Sequence, residues 1–393
     1  MLRNPSLNVD RDLLAPKAFY FLFYAAAASL SPYLSLYYRE AGLAGSQIGL
    51  LLGLSPLISL LASPTWSGYA DSTQRHRRVL ILAICGALGS VWALAMARGF
   101  LALIPAVAAF ALFSAPIMAL VDHAVLEMLG TRRALYPRQR LWGAVGWGVA
   151  AAGMGAITER HGLHWAFYGY LPLMFGGLLV ALRLPMSQAP RASAPFWRGM
   201  GQLLGNPRWL LFLSTVFLAG VGGSAIFHFL FLRLQDLGAS NSLMGTSLAV
   251  ASVGEVLMFS TAGALVARRG ARALLTLSMG ATLIRLLGIS MLPAAWLALP
   301  LQLLHGPGFS GLWTAGVAYA DEMAPPGLGA TAQALFGAVN MGLASSVGSL
   351  VGGVILERQG SAMLFRWAAL AVIAALAVFL PSERALRRAR PAR

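Results

Sequence analysis

The sequence predicts an all-α membrane protein of twelve transmembrane helices in two six-helix pseudo-repeat bundles. Three observations carry that expectation: a composition too apolar for water, apolar runs each long enough to cross a bilayer, and an internal repeat offset by about half the chain. Of the 393 residues, 58% are hydrophobic and 11% charged, with mean hydropathy +0.71. A soluble domain carries about a quarter charged residues, so this chain has too little polar surface to cover itself in water.

Crossing the hydrocarbon core takes about 20 apolar residues in a helix. Such runs lie near 18 to 38, 47 to 69, 79 to 97, 100 to 127, 140 to 158 and 163 to 182, and then near 209 to 234, 242 to 266, 272 to 293, 295 to 320, 329 to 355 and 361 to 381. The first is longer than a signal-peptide core and has no small-residue cleavage site after it, so it reads as a retained span. The expected organisation is an N-terminal bundle over 1–182, a cytoplasmic linker over 183–208, and a C-terminal bundle with a basic cytoplasmic tail over 209–393.

The net charge of +16 and pI of 11.2 raise the question of nucleic acid, which binds basic surfaces through counterion release. The arginines, however, sit in short loops between apolar runs: Arg75, Arg77 and Arg78; Arg132, Arg138 and Arg140; Arg183 and Arg208; Arg268, Arg269 and Arg272. All fall on one side of the predicted spans, as membrane proteins place positive charge on the cytoplasmic side. The opposite side has only Arg39, Arg98, Arg160, Arg233, Arg358 and Arg366. The expectation is a multi-pass protein of the cytoplasmic (inner) membrane with both termini inside and no nucleic-acid partner. Its partners would be a small-molecule substrate and membrane lipids, and one such chain suffices as a monomer. Cys85, the single cysteine, lies in an apolar run and reads as a packing residue, which excludes an internal disulfide and a cysteine-based metal site.

The repeat is explicit. Gly42, Ser46 and Gly49 recur as Gly238, Ser242 and Gly245; Gly143-Ala144-Val145 recurs as Gly337-Ala338-Val339; Glu159-Arg160-His161-Gly162 recurs as Glu357-Arg358-Gln359-Gly360. A shift of six spans preserves orientation, so the halves are parallel repeats about an axis along the membrane normal, and the substrate site is expected at the midplane between them.

Ser67-Gly68-Tyr69-Ala70-Asp71 followed by Arg75, Arg77 and Arg78, with its repeat Gly263 to Arg272, resembles the loop signature of the major facilitator superfamily, although Ala267 stands where the second aspartate would be. The resemblance implies a conformational latch of Asp71, Arg75, Arg77, Arg268 and Arg272. Arg138-Gln139-Arg140-Leu141-Trp142-Gly143-Ala144-Val145-Gly146-Trp147 is similar to the start of the fifth helix in the lactose permease branch. In that register Asp122, Arg140 and Trp147 match the branch's binding carboxylate, arginine and indole. Gly254-Glu255, Arg285 and Leu304-His305 match its binding and proton-coupling residues. Leu304-His305 with Phe309, and Ala330-Thr331-Ala332-Gln333, look more like its phenylpropionate and nucleoside relatives.

Two departures count against a galactoside: Gly308 stands where that branch has a glutamate and Met258 where it has an asparagine. Charges at mid-membrane cost at least about 2.5 to 3.5 kcal/mol each, so Glu255 and Arg285 mark function. The resemblance implies a proton-coupled symporter with Asp122, Arg140, Trp147, Glu255 and His305 binding substrate, and Glu255, Arg285 and His305 coupling the proton. Gln302 and Asn340 form a second tier that lines the cavity or bonds between helices. No cofactor is expected beyond the proton as coupling ion, and no metal. Efflux of an amphipathic compound and a non-transporting membrane sensor are the rival readings; an enzyme is disfavoured because no nucleophile and base or metal-ligand spacing stands out.

Overall fold

A computed structural model describes residues 13–185 and 196–388, and every regular element among them is a helix. In an apolar medium each backbone N–H and C=O needs an internal partner, and the helix supplies it within one segment. The first half holds α1 (Leu14–Glu40), α2 (Gly45–Thr73), α3 (His76–Met96), α4 (Phe100–Leu129), α5 (Tyr136–His161) and α6 (Trp165–Ala181). At 1.5 Å per residue α3 runs roughly 30 Å, the thickness of a hydrocarbon core, and the shorter α6 roughly 25 Å.

The second half opens with α7 (Pro207–Asp236). Two long segments then follow, Asn241–Ser290 and Gly329–Pro381. Each is broken by one glycine outside the helical region, Gly270 (φ 81°) and Gly360 (φ 81°). A side chain with a Cβ rarely adopts that backbone, so each glycine ends one helix and starts the next. This gives α8 (241–269), α9 (271–290), α11 (329–359) and α12 (361–388), with α10 over 298–323, and the twelve expected spans are all present among the described residues. A short helix, Phe196–Leu204, lies in the expected linker, whose residues 186–195 fall outside the described residues, as does the end of the tail beyond 388.

Two spans are less regular than their hydropathy suggests. Within α10, Gly306–Ser310 forms a π turn between Ala298–Gln302 and Gly311–Met323, and within α11 Ala338–Ala344 does the same. Such turns widen the helix by a residue and are frequent at functional sites. Gly306, Pro307 and Gly308 account for the first, since proline lacks the N–H that would hold an ordinary turn.

The chain forms two compact units, and each borrows a helix start from the other sequence half. The first comprises Met1–Leu43, Ile58–Arg191 and Ser240–Ser252; the second comprises Ala44–Leu57, Ala192–Ala239 and Val253–Arg393. In the first unit α1 packs on α5 and α6, and α3 on α4 and α6. The start of α8 joins them on α5: a Cβ at Gly155 would sit 2.7 Å from the Asn241 carbonyl oxygen and 3.1 Å from Gly245 Cα. In the second unit α7 packs on α11 and α12, and the start of α2 lies on α11. A Cβ at Gly353 would sit 2.6 Å from the Gly45 carbonyl oxygen and 2.6 Å from Gly49 Cα. The repeated glycines of the sequence, Gly49 and Gly245, thus mark two close backbone crossings. Small residues let membrane helices approach so closely.

Large apolar side chains cover much of the surface, among them Leu101 (80% exposed), Met291 (72%) and Leu61 (68%). This reversal of the soluble pattern fits lipid contact. Cys85 is exposed, which corrects the expectation of a packing residue: its side of α3 faces outward. Arg233, near the end of α7, reaches the end of α9, donating from Nε to the Ile289 carbonyl (3.2 Å) and from Nη2 to that of Ser290 (3.1 Å). These carbonyls have no partner within their own helix.

Gly155→Leu and Gly353→Leu are each expected to force their crossings apart, at about 1 to 3 kcal/mol. A melting temperature in detergent no lower than that of the unsubstituted protein would count against the crossings as drawn.

Candidate functional site

The charged residues singled out in the sequence gather in two clusters, one in each unit. In the first, α1, α4 and α5 bring together Tyr20, Tyr24, Asp122, Tyr136 and Arg140. The Tyr20 hydroxyl donates to Asp122 Oδ1 at 2.6 Å. Arg140 Nη2 donates to the Tyr24 hydroxyl, and its guanidinium carbon lies 4.4 Å from the Tyr24 ring centre and 5.5 Å from that of Tyr20. Cation and ring faces attract through the ring quadrupole, so the two tyrosines hold the guanidinium while one of them holds the carboxylate. Trp147 follows Arg140 on α5 by two turns, which places both on one face of the helix; it is half-buried.

Tyr20 and Tyr24 were not singled out in the sequence. Their signal is the spacing of two hydroxyl-bearing aromatics one turn apart in an apolar run, so that both meet the same neighbour. Gly143 makes room for this contact, because a Cβ there would lie 2.6 Å from the Tyr24 ring.

The second cluster joins α8, α9 and α10. Arg285 Nη1 lies 2.8 Å from His305 Nδ1, and Arg285 Nη2 donates to Gln302 Oε1. His305 Nε2 lies 4.0 Å from Glu255 Oε2. Guanidinium groups only donate, so Nδ1 must be the accepting nitrogen and Nε2 carries the hydrogen toward Glu255. Phe309 stacks on the imidazole, with ring centres 5.2 Å apart and planes inclined by 3°. Backbone proximity sets the arrangement: a Cβ at Gly254 would lie 2.6 Å from the Leu303 carbonyl oxygen, and one at Gly306 would strike the Gly254 carbonyl. The crossing of α8 and α10 therefore fixes Glu255 beside His305.

Arg285 is only 4% exposed and Gln302 is fully buried, yet Arg285 Nε and Gln302 Nε2 are buried donors without a hydrogen-bond partner. Buried donors are normally satisfied, and among the described residues these two are not. A Cβ at Gly308, the position where the resembling branch has a glutamate, would lie 2.9 Å from Thr282 Oγ1 of α9. Asn340, on the π turn of α11, is buried and lies close to Gly220 of α7. A further polar pair was not foreseen: Ser349 Oγ of α11 lies 2.5 Å from Nδ1 of His228 on α7.

At the loop after α2, Asp71 Oδ1 meets His76 Nε2 at 2.8 Å, and the His76 ring stacks on that of His123 at 5.4 Å and 4°. The partner of Asp71 here is a histidine, because α3 starts at His76 and turns that side chain inward while Arg75, Arg77 and Arg78 are exposed. Arg272, from the repeat of that loop, lies with its guanidinium carbon 5.7 Å from the Tyr319 ring centre, and Arg268 is exposed.

Residues 13–367 match the model of the MFS_1 like family. The chain is 28% identical over 374 residues to a maltose permease of Geobacillus stearothermophilus, covering 93% of each. It is 26% identical over 374 residues to a protein described as a probable 3-phenylpropionic acid transporter of Escherichia coli, covering 92% of this chain and 95% of that one. Among solved structures, the nucleoside transporter NupG superposes with a TM-score of 0.82 at 18% identity, covering 94% of this chain and 99% of that one, a likeness of fold.

Tyr20→Phe leaves Asp122 without its phenolic donor, and a lost hydrogen bond to a buried polar group costs about 1 to 3 kcal/mol. The expected result is a melting temperature below that of the unsubstituted protein; no change would mean that the hydroxyl of Tyr20 does not support the carboxylate.

Proposed function

The chain belongs to the MFS_1 like family and is a multi-pass membrane transporter of the major facilitator type, and we propose that it is a proton-coupled symporter of a small polar or aromatic organic solute working by alternating access. The observation that carries this reading is the Arg285, His305 and Glu255 series in spans that are otherwise apolar. Arg285 occupies the lone pair of His305 Nδ1, so the imidazole has no free site for a second proton while that contact lasts. Glu255 is then the group that takes up the proton, and His305 relays its charge to Arg285 by moving toward or away from the carboxylate.

Substrate recognition falls to groups suited to hydroxyls, carbonyls and carboxylates. Arg140 and Asp122 each take paired polar atoms, the indole of Trp147 offers an apolar face, and Arg285 Nε and Gln302 Nε2 offer donors. Sugars, nucleosides and aromatic carboxylates share these features, and the names of the relatives span the same range. With Gly308 in place of a carboxylate on α10, either Glu255 serves both proton and substrate or the protein is an uncoupled facilitator. Thermodynamically, coupling needs a substrate affinity that differs between protonation states. The arginine-rich loops favour both termini in the cytoplasm and residence in the inner membrane.

The test is ligand-induced thermal stabilisation of the purified protein against maltose, uridine and 3-phenylpropionate, with Arg140→Ala and Glu255→Gln as controls. One class is expected to raise the melting temperature, and both variants to abolish the rise. Flux in liposomes loaded with a pH-sensitive dye should then show proton entry with that solute in the unsubstituted protein and none with Glu255→Gln. Solute entry without proton entry would leave a facilitator, and a stabilising ligand indifferent to both variants would remove the symporter reading.

A further inference from the structure

The repeated Glu-Arg-x-Gly motifs at the ends of α5 and α11 have no part in the two clusters, yet both glutamates make the same contact. Glu357 Oε2 accepts from the backbone N–H of Ser46 at 2.8 Å, and Glu159 Oε2 accepts from that of Ser242 at 3.3 Å. Ser46 and Ser242 are themselves repeat partners, each the second residue of its helix. The first N–H groups of a helix have no acceptor within it, and the helix dipole gives that end a partial positive charge.

The local sequence leaves these N–H groups open. Before α2 stands Ala44, which has no side-chain acceptor; Gln47 Oε1 reaches back to the Ala44 N–H at 3.0 Å but leaves Ser46 to Glu357. Before α8, Ser240 Oγ takes the Leu243 N–H at 3.1 Å and leaves Ser242 to Glu159. Each helix start is therefore capped in part by a carboxylate from another helix more than eighty residues away in sequence. Directly beneath each cap lies a glycine crossing, Gly49 on Gly353 and Gly245 on Gly155. Such crossings are close but apolar and carry no directional bond; the carboxylate supplies one.

We propose that Glu159 and Glu357 are positioning residues of the transport cycle: two repeat-related clasps that hold the start of α8 on α5 and the start of α2 on α11, and whose release frees these crossings. The inference rests on the transporter reading only for the cycle it serves. The distances that test it are measured without substrate, so a chain that moves no solute would leave the clasps standing, and failed clasps would leave the transporter standing.

The experiment uses the full chain with Cys85→Ser, carrying spin labels at Ala44→Cys with Gln359→Cys across one crossing, or at Ala239→Cys with His161→Cys across the other, and reads distance distributions by pulsed electron resonance in lipid nanodiscs. Glu357→Gln should raise the longer-distance population in the first pair roughly 2- to 5-fold, as expected for losing a carboxylate at a helix start. Glu159→Gln should do the same in the second pair. Glu40→Gln, which removes an exposed charge close by in sequence to the start of α2 but touches neither Ser46 nor Ser242, should leave both distributions unchanged. If a glutamine variant fails to purify as a monodisperse protein, Glu357→Asp or Glu159→Asp keeps the charge and shortens the reach, with the same widening expected. Distributions in the clasp variants matching those of Glu40→Gln would overturn the proposal.

Discussion

A guanidinium enclosed by apolar helices must be given partners, and much of the second unit is arranged around that need. Arg285 cannot shed its proton as a carboxylate gains one, so α10 brings it Gln302 and His305 on successive turns. Placing them requires α10 to pass α8 with backbone against backbone, which only Gly254 and Gly306 permit. The same approach carries Glu255 to the far side of the imidazole. The π turn that begins at Gly306 follows from packing three glycine and proline positions at this crossing. One buried charge thus accounts for a helix distortion, two glycines and the location of an acid.

The backbone plan was legible because its signals are strong and redundant. Apolar runs of membrane length, arginines concentrated in alternate loops, and a repeat of glycine positions all agree, and most glycines of the repeat turn out to be where helices cross or end. Gly162 and Gly360, paired in sequence, both have left-handed φ at the ends of their helices (90° and 81°). The interruptions of α10 and α11 were less visible: hydropathy is blind to a π turn, and in α11 no proline announces it. Nor does hydropathy show that the starts of α2 and α8 keep company with the opposite sequence half.

The chemistry was legible only where it was charged. Glu255 and Arg285 stand out because charge in an apolar run is costly, whereas Asp122 and Arg140, near the ends of their predicted spans, stand out only through the resemblance. Their partners do not: Tyr20 and Tyr24 are ordinary membrane aromatics until a neighbour gives them a role, and His228 is one of several polar residues in a long, mostly apolar span. The pairing of Asp71 with His76 rather than with an arginine depended on where α3 begins, which sequence places only to within a few residues. Gly308 was recognised as a missing acid, and the neighbour that a side chain there would meet, Thr282, lies outside its own helix.

The repeat preserves scaffold and spares chemistry. Three residues before Gly143 stands Arg140, while three before its partner Gly337 stands Ala334; ten after Gly245 stands Glu255, while ten after Gly49 stands Ser59. Each half has kept the glycines that set its helix crossings and has acquired polar groups that the other lacks. A tandem copy of either half alone would retain the architecture and forfeit one cluster, so the two halves are interchangeable as carpentry and distinct as reagents.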